Sequence, residues 1–162
     1  MLKYLLYVII AIIILYMVLY NIHPTDHSIV QVPIQHFTFD ILYERSPIVI
    51  DQPVYDLDDI ITKWFNYNSV SPVKEDLFDR WHTNCGKYLI VQNTLEEDKE
   101  LFLNNPQNTH PVPKEDDRLF SIVLHPKQVV IVPLGWGTVL IEGMRGVKID
   151  DVITGLMGVF VG

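Results

Sequence analysis

Cysteine is all but missing from this chain. Cys85 stands alone in 162 residues, so no intramolecular disulfide can form and a disulfide-stapled secreted scaffold is excluded. No Asn-x-Ser/Thr sequon follows residue 20, which removes the other mark of a glycosylated ectodomain. Basic residues are scarce, with 12 Lys plus Arg against 20 Asp plus Glu and a formal net charge of -8. A phosphate backbone is bound by clustered cations, so nucleic acid is not expected as a partner. Also missing are Gly-x-Ser-x-Gly, a Gly-rich phosphate loop, Cys-x-x-Cys and His-Glu-x-x-His, and with them the common hydrolase, nucleotide, redox and zinc-protease signatures. No repeat, heptad run or low-complexity tract argues for a solenoid or coiled coil.

What is present first is a long apolar run. Tyr4 to Tyr20 contains no charge and as a helix would extend about 26 Å at ~1.5 Å per residue. That nearly fills a hydrocarbon core of roughly 30 Å, with Lys3 able to snorkel at one end and tyrosines 4, 7, 16 and 20 placed towards the headgroups. A cleaved signal peptide would end in small residues, whereas this run ends Leu19-Tyr20-Asn21-Ile22. The expectation is an uncleaved transmembrane anchor over 1–21, contacting membrane lipid through residues 2–20. Lys3 precedes the run and no Lys or Arg follows until Arg45, so a single-pass protein with a cytoplasmic amino terminus is expected.

Residues 22–28 hold Pro24, His23 and His27 without periodicity and read as a juxtamembrane linker. The two imidazoles are four apart, but Pro24 between them and the lack of a third ligand argue against a metal. Beyond lies one domain, 29–162, long enough for one packed core. Short β-branched and aromatic runs separated by Pro, Gly, Asn and Asp predict strands at Ile29–Ile34, Pro47–Val54, Lys87–Gln92, Leu119–Leu124, Gln128–Pro133, Thr138–Glu142 and Val147–Ile153. Helices are expected over Phe37–Tyr43, after an Asp56 N-cap along Leu57, Ile60, Ile61, Trp64 and Phe65, and after Thr94 with Glu97 as its capping partner. The apolar terminus Gly155–Gly162 is too short to span a bilayer and reads as a final paired strand, with docking on a partner as the alternative. Glu96 to Asp98 with Glu100, and Glu115 to Asp117, read as solvated surface.

The order of these segments resembles a known family. Phe37 to Tyr43, Arg45-Ser-Pro-Ile-Val-Ile50, a helix ending Lys63-Trp64, Gly86-Lys-Tyr-Leu-Ile90 and Leu124-His-Pro-Lys-Gln-Val-Val-Ile-Val-Pro-Leu-Gly-Trp136 follow one another as do the elements of the cupin-like, Jumonji-type hydroxylase domain. The resemblance covers about residues 37 to 143. It implies a mainly β fold, a cupin-like or jelly-roll β-sandwich with a few short helices, here behind one N-terminal transmembrane helix. It also implies an iron site of two His and one carboxylate, the facial triad that leaves positions open for 2-oxoglutarate and oxygen. At the position of the His that follows the Pro-x-Gly-Trp element stands Thr138, and Asn66 to Trp81, ahead of Gly86, contains no His. Lys87 resembles, offset by one residue, the family lysine that contacts the oxoglutarate; an exposed strand-end lysine is the plainer reading.

No cofactor or metal is therefore expected. His82 and Cys85 have a zinc-like separation, but only one such pair exists; His110 and His125, each beside a proline, read as loop residues. The residues singled out for a pocket or interface are Trp136, Tyr88 and Lys87, with Trp136 foremost a buried aromatic. The expectation is a membrane-anchored, catalytically inactive, structural or protein-interaction module. Its Asn, Ile, Tyr and Asp rich composition and compact length look similar to virion proteins of large DNA viruses, which implies a capsid or other membrane protein as partner. The rival is an iron and 2-oxoglutarate hydroxylase with displaced ligands, such as His82 or His125 with a nearby Asp. A small-ligand sandwich with a pocket near Trp136 and Tyr88 is a third reading.

Overall fold

The computed structural model describes residues 2–22, 28–74, 77–108, 112–114 and 117–151, the side chains of 2, 16, 17 and 19–22 excepted. The chain is mainly β, with two sheets and few helices. In order come α1 (Leu2–Ile22), β1 (Val30–Val32), 3-10 turns at Ile34–His36 and Phe39–Glu44, β2 (Ile48–Ile50), α2 (Leu57–Trp64), β3 (Ser69–Pro72), β4 (Trp81–Thr83), β5 (Tyr88–Asn93), β6 (Lys99–Asn104), β7 (Leu119–Leu124), β8 (Val129–Pro133), β9 (Gly137–Val139) and β10 (Met144–Asp150).

One sheet has six strands in the order β1-β2-β8-β5-β10-β3, the other four in the order β4-β9-β6-β7. All pairings are antiparallel but that of β1 with β2. The near-continuous apolar runs Ile48–Ile50, Tyr88–Val91 and Val129–Val132 are the mark of strands buried on both faces. Successive side chains alternate between those faces. Ile48, Ile131, Ile90 and Val147 stand in register across four strands and pack under Leu42, Leu57, Ile61 and Phe65. Val49, Val130, Val91, Leu89 and Val132 point the other way, into Leu101, Leu103, Ile122 and Leu124 of the smaller sheet. The result is three layers: a helical cover, the large sheet and the small sheet.

α2 forms where Asp56 accepts a hydrogen bond from the Asp59 amide at 2.9 Å, satisfying one of the orphan donors of its first turn. Its buried stripe is Leu57 and Ile61, continued by Phe65, and it lies on the large sheet.

Three expectations are corrected. Among the described residues no helix is long and apolar enough to cross a membrane. The fold expected behind a transmembrane helix is corrected accordingly. No helix follows Thr94: its hydroxyl donates to the Gly143 carbonyl at 2.8 Å, and Lys99–Asn104 is β6, whose Leu101 and Leu103 alternate inward as a strand demands. Phe39–Glu44 is a 3-10 turn rather than an α-helix; it ends at Arg45 in the left-handed region, φ 56°. His23, His27, His110 and the Gly155–Gly162 terminus lie outside the described residues.

Candidate functional site

The sequence-nominated residues gather around the stretch from β4 to β5 and the β8–β9 turn. β4 pairs with β9 so that His82 faces Thr138 and Thr83 faces Gly137. On the next strands Thr138 faces Leu103, and Leu103 faces Phe120. His82, Thr138, Leu103 and Phe120 therefore form one row across the small sheet. Thr138 and Leu103 are fully buried, so this row looks towards the large sheet.

His82 is the unusual member. Its Nδ1 lies 3.3 Å from the Arg80 carbonyl, which can only accept, so Nδ1 carries the proton and Nε2 an unshared pair. That Nε2 is buried and has no hydrogen-bond partner among the described residues. Desolvation lowers the imidazole pKa below the usual histidine range, while the Arg80 carbonyl works weakly the other way. The ring is held neutral.

Asn84 was not anticipated, and it organises the site. Its Nδ2 donates to the Val132 carbonyl at 3.0 Å and its Oδ1 accepts from the Gly86 amide at 2.9 Å. Its own amide donates to the Trp136 carbonyl at 2.8 Å, and its carbonyl accepts from the Gly135 amide at 2.8 Å. One side chain and one peptide thus fasten the β8–β9 turn to the start of β5. Gly135, at φ 86°, supplies the positive dihedral the turn requires. The only sequence hint was the turn chemistry of Asn84-Cys85-Gly86.

Trp136 is fully buried between the sheets, edge-on to Phe120 with ring centroids 5.7 Å apart. Tyr88 lies on the opposite face of the large sheet, tilted against Phe65 at 5.6 Å in the cluster beneath α2. The two rings nominated for one pocket are separated by the sheet itself. Lys87 is about a third exposed: its Nζ pairs with Asp151 at 2.8 Å and its amide donates to Asp150 at 3.1 Å. Its ammonium lies over the Tyr88 ring, 5.9 Å from the centroid, at the outer limit of a cation–π contact.

The donor set can be tested against an iron triad, which needs two imidazoles and a carboxylate. The strand ahead of Gly86 is β4, and it does carry a histidine, one residue past the Asn66–Trp81 window that lacks one. Two residues further stands Asn84, an amide already bonded at both ends. Opposite His82 stands Thr138, whose Oγ1 donates to the Phe102 carbonyl at 3.1 Å. One imidazole remains where three ligands are required, and the residues do not fit the ion. Among the described residues no group of three His, Cys, Asp or Glu could hold a metal. The other histidine of the displaced-ligand reading, His125, bonds Asp98 at 2.8 Å on the exposed surface. Cys85 directs its thiol at the Thr83 carbonyl, 3.5 Å away, and joins no zinc-type cluster with His82.

Compared with protein families and with curated proteins, the chain matches no family model and no curated sequence.

Proposed function

We propose that the chain is a non-catalytic, cupin-like structural and protein-interaction module, attached to lipid through residues 2–20, whose protein partner is a coat or other membrane protein. The observation that carries the reading is how Asn84 and Thr138 are used. The two positions that would have to complete a ligand set beside His82 spend their polar atoms on backbone carbonyls and an amide. Asn84 ties the end of β4 to the large sheet and Thr138 ties β9 to β6, and neither presents a free donor to an ion or substrate.

The lipid attachment has its own support. The described side chains of α1 are apolar apart from Lys3 and exposed but for Ile13, and none belongs to either core cluster. A helix apolar on every side is stable only where something apolar surrounds it.

The test combines metal analysis of the purified full-length chain with co-flotation on phosphatidylcholine vesicles. The expected result is no stoichiometric iron, no turnover of 2-oxoglutarate, and flotation that is lost on Ile9→Asp with Ile12→Asp. Stoichiometric iron with oxoglutarate-dependent turnover overturns the reading.

A further inference from the structure

An edge strand presents unpaired backbone N–H and C=O groups that can receive another strand, and natural proteins blunt such edges with shortness, charge or proline. The two sheets end in β1, β3, β4 and β7. β1 and β4 are three residues long, and β3 has four and closes with Pro72. β7 has none of these guards. It runs six residues, Leu119–Leu124, without charge or proline, and among the described residues pairs with β6 alone. Its inward side chains Ile122 and Leu124 are buried, whereas Leu119 and Val123 on the outer face are 42% and 52% exposed. Phe102 of β6, in register with Ser121, widens the same strip at 39% exposure, beside Glu100, whose carboxylate accepts from the Ser121 hydroxyl.

Residues paired across an antiparallel ladder share a face. A strand can therefore pair with its own copy about a twofold axis only if its outer row reads compatibly in both directions. Centred on Ser121, that row does so. Leu119 meets Val123 of the second copy, Ser121 meets Ser121, and Val123 meets Leu119. On the inner face Phe120 meets Ile122, and the exposed Arg118 just before the strand meets the buried Leu124. Just beyond the strand, Asp117, which accepts from the Lys114 amide, comes opposite His125, which bonds Asp98 of its own chain at 2.8 Å. Moving the axis to Ile122 sets Leu119 against His125 and Ser121 against Val123, and the match is lost.

We propose that β7 is a homophilic docking edge: two copies of the chain join antiparallel about Ser121, so that the four-stranded sheet of one continues into that of the other. The interface is isologous and closes as a dimer. This deepens the interaction-module reading and rests on it, naming a second copy of the chain as a partner.

The test uses the full-length chain in detergent, with Ser121→Cys in a Cys85→Ser background. Paired Cα atoms on an antiparallel ladder lie about 4.5–5.5 Å apart, within disulfide reach. Mild oxidation is expected to give a covalent dimer in several-fold higher yield than Ser71→Cys, an exposed control on the edge strand β3. Adding Val123→Lys should reduce the Ser121→Cys yield several-fold, with amide exchange of β6 and β8 showing that the sheets persist. Equal yields from the two cysteine positions, or a Ser121→Cys yield indifferent to Val123→Lys where exchange shows the fold intact, overturns the proposal; where Val123→Lys does not fold, the comparison with Ser71→Cys decides. The two readings fail separately: oxoglutarate turnover beside efficient cross-linking removes the non-catalytic reading alone, and absent cross-linking without turnover removes the docking edge alone.

Discussion

The indole N–H of Trp136 donates to the main-chain carbonyl of Arg45 at 3.1 Å, joining the β8–β9 turn to the left-handed residue that ends the Phe39–Glu44 turn. A large aromatic can be buried here without an orphaned donor because that carbonyl is turned towards it. Trp136→Ala should cost about 3–5 kcal/mol, the usual loss for an emptied aromatic site. Trp136→Phe keeps much of the packing but removes the donor, and should cost less than the alanine. Urea midpoints at constant slope measure both; equal losses for the two variants would mean that volume and the hydrogen bond are not separable here.

Asn84 leads to a second prediction. Asn84→Asp changes one atom yet turns a donor into an acceptor in front of the Val132 carbonyl. A buried acceptor facing another acceptor leaves both unsatisfied, and about 1–3 kcal/mol should be lost. The substitution also places a carboxylate two residues from His82. Since Thr138, paired with His82 across the strands, offers no second imidazole, Asn84→Asp is expected to lower the thermal midpoint without gaining bound iron, and calorimetry with metal analysis checks both halves.

Much of this fold was legible because local patterns were unopposed. Leu119–Leu124 was predicted to the residue, and α2 was announced by Asp56 followed by an apolar stripe at helical spacing. β6 was hidden by its neighbours: Thr94 and Glu97 imitate a capping box, although Thr94 bonds to Gly143 from a distant turn. β4 is three residues long and owes its existence to pairing with β9, which no local window contains. The same non-local pairing brings His82 to Thr138. That Trp136 and Tyr88 fall on opposite faces follows from the intervening sheet being covered on both sides, which the apolar runs hinted at but did not assign.

The cap of α2 gives a local prediction. Asp56→Ala removes the acceptor for the Asp59 amide and should destabilise by about 1 kcal/mol, while Asp56→Asn, an equally good cap, should be nearly neutral. Because α2 covers the row of Ile48, Ile131, Ile90 and Val147, the loss should appear in global unfolding. Chemical denaturation of the two variants decides; equal destabilisation by both would assign the effect to the charge near the helix dipole instead.

His82 sets the sign of one pH dependence. In the unfolded chain its imidazole takes up a proton around pH 6.5, whereas burial of Nε2 lowers the pKa in the folded chain. Between those two values the unfolded state binds more protons, so stability rises with pH. The contribution is fully present above about pH 6.5, the unfolded value. It declines as pH falls towards the lowered folded value, below which both states are protonated and no further loss accrues. His82→Gln keeps a polar side chain but cannot titrate. Its stability curve should therefore be flatter than that of the parent below about pH 6.5, with other groups cancelling in the difference. Parallel curves for parent and variant would mean that acid protonates His82 without cost, and that the buried nitrogen finds a partner when the charge arrives.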